Sequence, residues 1–170
     1  QMCIRDRNTV PERLAALRAA MAANGVAVYL IPVGDPHASE YLPCHYTSLT
    51  WFSGFHGENS NFVVTRTESA LWADGRYFVQ AEKEIAGTEI KLQRMGEPGV
   101  PTVEEYCGKV LPENGVLGLC GLTASCGLVR GVQKALDAKK GTIKTLNLED
   151  ELWTEGRPAR PATPAWILPK

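Results

Sequence analysis

The 170 residues hold 18 Lys and Arg against 19 Asp and Glu, for a formal net charge of −1. The two signs are interspersed, which argues against a basic face for nucleic acid, and no apolar run approaches the ~18 residues of a membrane span. With 44% hydrophobic residues, the chain has the apolar content of about one globular domain rather than of a disordered segment.

Five cysteines, Cys3, Cys44, Cys107, Cys120 and Cys126, are odd in number and irregular in spacing, and no C-x-x-C occurs. That pattern fits reduced thiols in a cytoplasmic protein better than a disulfide framework or a zinc ribbon. No apolar signal region opens the chain. Residues 1–8 read as a non-native or disordered leader, 9–155 as the domain, and 156–170 as a Pro-rich linker to domains beyond it.

The first expected element is a helix. Thr9 and Glu12 fit a capping box, Pro11 sits in the tolerated first turn, and Val10, Leu14, Leu17 and Met21 recur on one face up to Gly25. Val26 to Ile31 is a continuous apolar run, the pattern of a strand buried on both faces. Asp35-Pro36 predicts a short helix over Pro36 to Tyr41, with Asp35 as its cap. An aromatic segment, Trp51 to Phe55, follows a loop with Pro43. Asn61 to Thr65 and Ala70 to Ala73 predict a hairpin, and Asp74-Gly75 a turn. A helix is expected over Tyr77 to Ile85, a half-exposed strand around Ile90 and Leu92, and a helix over Thr102 to Leu111 with a Thr102–Glu105 capping box. Val116 to Leu122 reads as a strand, Ser125 to Ala138 as a helix, Thr142 to Leu146 as a strand and Leu148 to Trp153 as a short helix. Strands alternating with helices, plus one hairpin, define an α/β domain whose mixed sheet is covered by helices.

The three histidines, His37, His45 and His56, share one window with Asp35, Glu40, Cys44 and Glu58. These are metal-ligating types, but no H-x-x-x-H, H-E-x-x-H or paired Cys is present, and Asp35 is already used as a cap. A polar loop at one sheet edge is the simpler reading. A Cys44–His45 dyad would need adjacent side chains to converge. Neither a G-x-S-x-G elbow nor a phosphate loop occurs. Arg76 follows the Asp74-Gly75 turn at the start of a helix, where a cation is locally unfavourable by a few tenths of a kcal/mol. Two readings stay open for it: a forked donor to a carbonyl or carboxylate, or a structural ion pair with a nearby acid.

Several segments together resemble one family. Ile31-Pro-Val-Gly-Asp-Pro-His-Ala-Ser-Glu-Tyr-Leu42, Trp51-Phe-Ser-Gly-Phe-His-Gly57, and Leu71 to Phe78 with its Trp-x-Asp-Gly-Arg-Tyr-Phe pattern are similar, in order, to the N-terminal domain of Xaa-Pro aminopeptidases in the creatinase/prolidase group. Leu148 to Pro161 resembles the exit from that domain. The resemblance implies a ribonuclease-H-like α/β fold. It also implies a non-catalytic domain that shapes the active-site rim of a metallopeptidase acting on peptides with proline at the second position. The catalytic group, two divalent metals, usually manganese, is implied in a C-terminal domain outside these residues, so neither a catalytic residue nor a metal ligand is expected here. The whole enzyme is implied to be a cytoplasmic homodimer. By the same resemblance Arg76 contacts the peptide, and Tyr77, His37, Trp51 and Phe55 are further candidates. Core packing competes with that role for Trp51 and Phe55.

Two departures stand out. Gly57-Glu58-Asn59-Ser60-Asn61-Phe62 replaces a run of small residues, and Cys120 stands where relatives often carry an acid. A freestanding binding or regulatory domain is the alternative function, and a small enzyme using His37, His45 and Cys44 is a third.

Overall fold

The computed structural model describes residues 9–164 and 166–167, so the leader expected at 1–8 lies outside the described residues. Helix α1 spans Val10–Ala23 and buries Leu14, Leu17 and Met21. The Glu12 carboxylate accepts from the Thr9 N–H at 2.6 Å and from its hydroxyl at 2.9 Å. Strand β1, Val28–Pro32, is buried along its whole length. The antiparallel hairpin β2, Asn61–Thr65, and β3, Ser69–Ala73, packs beside it.

Strand β4, Lys91–Arg94, pairs in parallel with β3; β5, Val116–Leu119, in parallel with β1; and β6, Thr142–Thr145, in parallel with β5. The sheet order is β4-β3-β2-β1-β5-β6, and only β2 runs against the rest. Helices α2 (Ser48–Ser53), α3 (Phe78–Glu84), α4 (Val103–Val110), α5 (Cys126–Leu136) and α6 (Leu148–Leu152) complete the fold.

Alternation along the strands divides the core in two. Tyr29, Ile31, Phe62, Val64 and Leu71 face one layer, with residues of α1, α2, α3 and α6. Leu30, Val63, Trp72, Leu117 and Leu119 face the other, with α4 and α5. Gly118 is required by this packing, because a Cβ there would lie 2.7 Å from the Tyr29 ring.

One local expectation needs correction. No helix forms over Pro36 to Tyr41. Asp35 does cap, its Oδ1 accepting from the N–H groups of His37 at 3.0 Å and Ser39 at 2.9 Å. Ala38 then turns to φ +52, so the chain leaves the helical path after one turn. The aromatic segment is partly helical, as α2, and stops at Gly54 with φ +78. Residues 156–164 have no regular structure, yet Arg157 and Arg160 are tied to His45 and Asp150.

Candidate functional site

Strands β1 and β5 are neighbours, but the chain leaves β1 toward β2 and leaves β5 toward β6. That is a topological switch point, and loops leaving the carboxyl ends of two such strands diverge to make a crevice. A cavity of about 930 Å³ lies there. It is walled by the loop after β1, by residues 56–61 leading into β2, by Arg76 after β3, and by 121–128 between β5 and α5.

Arg76 stands on this wall with its side chain 67% exposed. Its backbone N–H donates to Asp74 Oδ1 at 3.0 Å, its Nε to the same oxygen at 3.2 Å, and its Nη2 to Asp74 Oδ2 at 2.7 Å. The Asn59 amide donates to Oδ2 as well, at 3.3 Å. These bonds, the Arg76 side chain first, hold the Asp74 carboxyl down at about 2. The guanidinium also lies 5.3 Å from the Tyr77 ring centroid. Tyr77 packs edge-on against Phe55 at 6.1 Å and its hydroxyl reaches Glu58 Oε2 at 3.4 Å. The Asp-Gly turn thus aims Arg76 outward, and one carboxylate orients it without burying it.

The other sequence candidates are dispersed. His37 is exposed on the loop after β1. Phe55 is fully buried and Trp51 nearly so, both within the core beside α1. Trp51 stacks on Trp153 at 5.6 Å, and Arg13 caps its ring at 4.7 Å. His56 lies beside Glu84, its backbone N–H donating to Oε2 at 2.9 Å. His45 Nδ1 donates to the Pro158 carbonyl at 2.8 Å and Nε2 accepts from Arg160 Nε at 3.2 Å. Both ring nitrogens are engaged away from Cys44, so no dyad forms. Among the described residues no group of three or more His, Cys, Asp or Glu could hold a metal ion. Among the described residues the donor set does not fit such a centre.

Two features were missed in the sequence. Residues 121–126 enter the wall from β5, with Cys126 exposed in the first turn of α5. Their closeness to the loop after β1 depends on parallel pairing across some 90 residues, which leaves no local pattern. Second, Asp35 Oδ2 and Glu149 Oε1 are buried without hydrogen-bond partners. The backbone donors to Asp35, Ser39 first, lower its carboxyl. Burial raises that of Glu149 to about 7.

Comparison with known proteins places this geometry. Residues 13–152 match the model of the creatinase/prolidase N-terminal domain. Aminopeptidase P2 of Arabidopsis thaliana is 37% identical over 158 residues, which are 90% of this chain and 22% of that protein. A probable Xaa-Pro aminopeptidase P of Pyricularia oryzae is 35% identical over 94% of the chain and 26% of its own length. The crystal structure of X-prolyl aminopeptidase from Caenorhabditis elegans, described as a cytosolic enzyme with a di-nuclear active site, matches with a TM-score of 0.80 at 33% identity. That match covers 89% of this chain and 26% of the enzyme. The N-terminal domain of the cytoplasmic peptidase PepQ from Mycobacterium tuberculosis, solved by itself, shares the fold at a TM-score of 0.58 and 23% identity. The chain spans about a quarter of the length of these aminopeptidase relatives. The mixed six-stranded sheet, the helices on both its faces and the family match agree: the chain belongs to the creatinase/prolidase N-terminal domain family.

Proposed function

We propose that this domain is the non-catalytic N-terminal part of a metal-dependent Xaa-Pro aminopeptidase, where it shapes the active-site rim and positions the peptide. The observation that carries this reading is the match of about nine-tenths of the chain to aminopeptidase P relatives. A peptide bond to proline is a tertiary amide, so its carbonyl and the residues around it have to be held for attack rather than recognised through an amide N–H. The C. elegans relative has a di-nuclear active site. A pair of divalent metals, manganese in the first instance, would supply the activated water from a domain outside these residues. In this chain Arg76 presents the outer edge of a guanidinium to a peptide carbonyl or carboxylate, with Asp74 setting its direction. Tyr77 and Glu58 form the wall beside it. His37, Trp51 and Phe55 act less directly, the aromatic pair by shaping the core under the rim. The whole enzyme is cytoplasmic and a homodimer in this reading.

The test is Arg76→Ala in the full-length enzyme. Loss of a charged forked donor is expected to lower kcat/KM on a peptide with proline at the second position by roughly 10- to 100-fold. Circular dichroism and thermal midpoint should hardly change, because the side chain is exposed. Arg76→Lys keeps the charge but not the fork and should recover only part of the loss. Unchanged kinetics would return Arg76 to a purely structural pair with Asp74.

A further inference from the structure

A second cluster, away from the cavity wall at Arg76, joins the loop before α2 to the segment after α6. His45 lies in a single 3-10 turn, Cys44–Tyr46. The Pro158 carbonyl can only accept, so the bond of 2.8 Å puts a hydrogen on His45 Nδ1. Arg160 Nε can only donate, so the contact of 3.2 Å requires a lone pair on His45 Nε2. The two contacts together specify one tautomer and one charge state: a neutral imidazole protonated at Nδ1. Around it, Arg157 donates through Nε and Nη2 to the His45 carbonyl at 3.1 Å each. Asp150 pairs with Arg157 and, at 3.2 Å, with Arg160. Tyr46 meets the imidazole edge-on at 4.8 Å, and the Arg157 guanidinium lies 5.2 Å from the Trp153 ring. Buried Glu149 and Cys120 line the small space beneath.

We infer that His45 is a proton-sensitive latch that holds Arg160 against the domain when neutral and releases it when protonated. A proton arriving on His45 Nε2 removes the lone pair that accepts from Arg160 Nε. It also places two cations head to head, N–H against N–H, at hydrogen-bond distance. Asp150 is shared between Arg157 and Arg160. Arg157 is held by a backbone carbonyl as well as by Asp150, and the Pro158 carbonyl still accepts from Nδ1–H, so the release concerns Ala159 and Arg160. The latch governs how the segment after α6 leaves the domain, and so how tightly anything joined to it is oriented.

The experiment is NMR of the 170-residue chain at pH 8 and pH 5, with His45→Phe alongside. At pH 8 the nitrogen shifts of His45 should report the Nδ1–H tautomer. The backbone order parameters of Ala159 and Arg160 should lie near the rigid value of about 0.85, and fall below about 0.6 at pH 5 while core residues stay rigid. In His45→Phe, which keeps a ring against Tyr46 but has no ring nitrogen, both residues should be mobile at either pH. An Nε2–H tautomer in the native chain overturns the proposal without recourse to any variant. So does a segment that loosens with the same midpoint in His45→Phe, or one that stays rigid in the native chain at pH 5.

Discussion

The chemistry of single residues is clearest where valence can be counted. The Tyr29 hydroxyl has one hydrogen and two lone pairs. Its neighbours are the Leu146 carbonyl at 2.9 Å, the Leu148 N–H at 3.2 Å and Glu149 Oε2 at 2.5 Å. An ionised Glu149 would compete with Leu146 for the single hydrogen. A protonated Glu149 donates to the tyrosine oxygen, and all three contacts are then satisfied. Burial, opposed by Tyr29 and Arg157, raises this carboxyl from 4.5 to about 7. Between those values the folded chain keeps a proton that the unfolded chain gives up. The stabilisation is therefore complete below about pH 4.5 and is lost as pH rises through 7. Glu149→Gln keeps a donor to Tyr29 and cannot ionise. Urea unfolding should show it gaining on the native chain by on the order of 2–3 kcal/mol between pH 4.5 and pH 8. A difference that does not vary with pH would mean Glu149 is not protonated in the fold. Little of this was legible in the sequence. Leu148 to Trp153 reads as a short helix, but its local pattern does not say which acid is inside, and Tyr29, 120 residues away, decides that it is Glu149. The Asp74-Gly75-Arg76 turn lies at the other extreme: apart from the Asn59 amide on Asp74 its hydrogen bonds are local, and both open readings of Arg76 are legible in the sequence.

At the scale of elements, local signals held where nothing long-range competed. The Thr102–Glu105 box is formed in both directions, with Glu105 N–H on the Thr102 hydroxyl at 3.2 Å and Thr102 N–H on the Glu105 carboxylate at 2.9 Å. Thr102→Ala should lower stability by about 1 kcal/mol in chemical denaturation, without changing helix α4 packing through Val103 and Cys107. A cost near zero would show that water replaces the cap at no loss. Asp35 illustrates a signal read correctly and extended too far. It does cap the N–H groups of His37 and Ser39, as an Asx turn does, but capping alone does not continue a helix. No apolar face follows it: Tyr41 is 78% exposed. At Ser48–Ser53 the aromatic residues carry no helix signal, yet the segment folds as a helix that buries Leu49, Trp51 and Phe52 together. Tertiary burial formed that helix, and no cap or propensity announced it.

For the whole molecule, the sequence made an α/β domain with a mixed sheet legible, but not the strand order that produces the cavity. The order depends on β1 accepting β2 on one edge and β5 on the other, and nothing local in either strand marks which edge it takes. The consequence is energetic as well as topological: one sheet separates two cores that share no side chain. Ile31, fully buried, faces the first, and Val132, fully buried on α5, faces the second. Ile31→Val should cost about 1 kcal/mol and Val132→Ala about 2 kcal/mol, from the methylenes removed. Because the sheet lies between them, the double variant should lose the sum to within about 0.5 kcal/mol. It should still unfold in a single transition, since both faces belong to the same strands. A coupling above about 1 kcal/mol would mean the backbone of β1 transmits strain from one face to the other. Two separated transitions would mean that the layer of α4 and α5 can detach on its own, taking the 121–128 wall of the cavity with it.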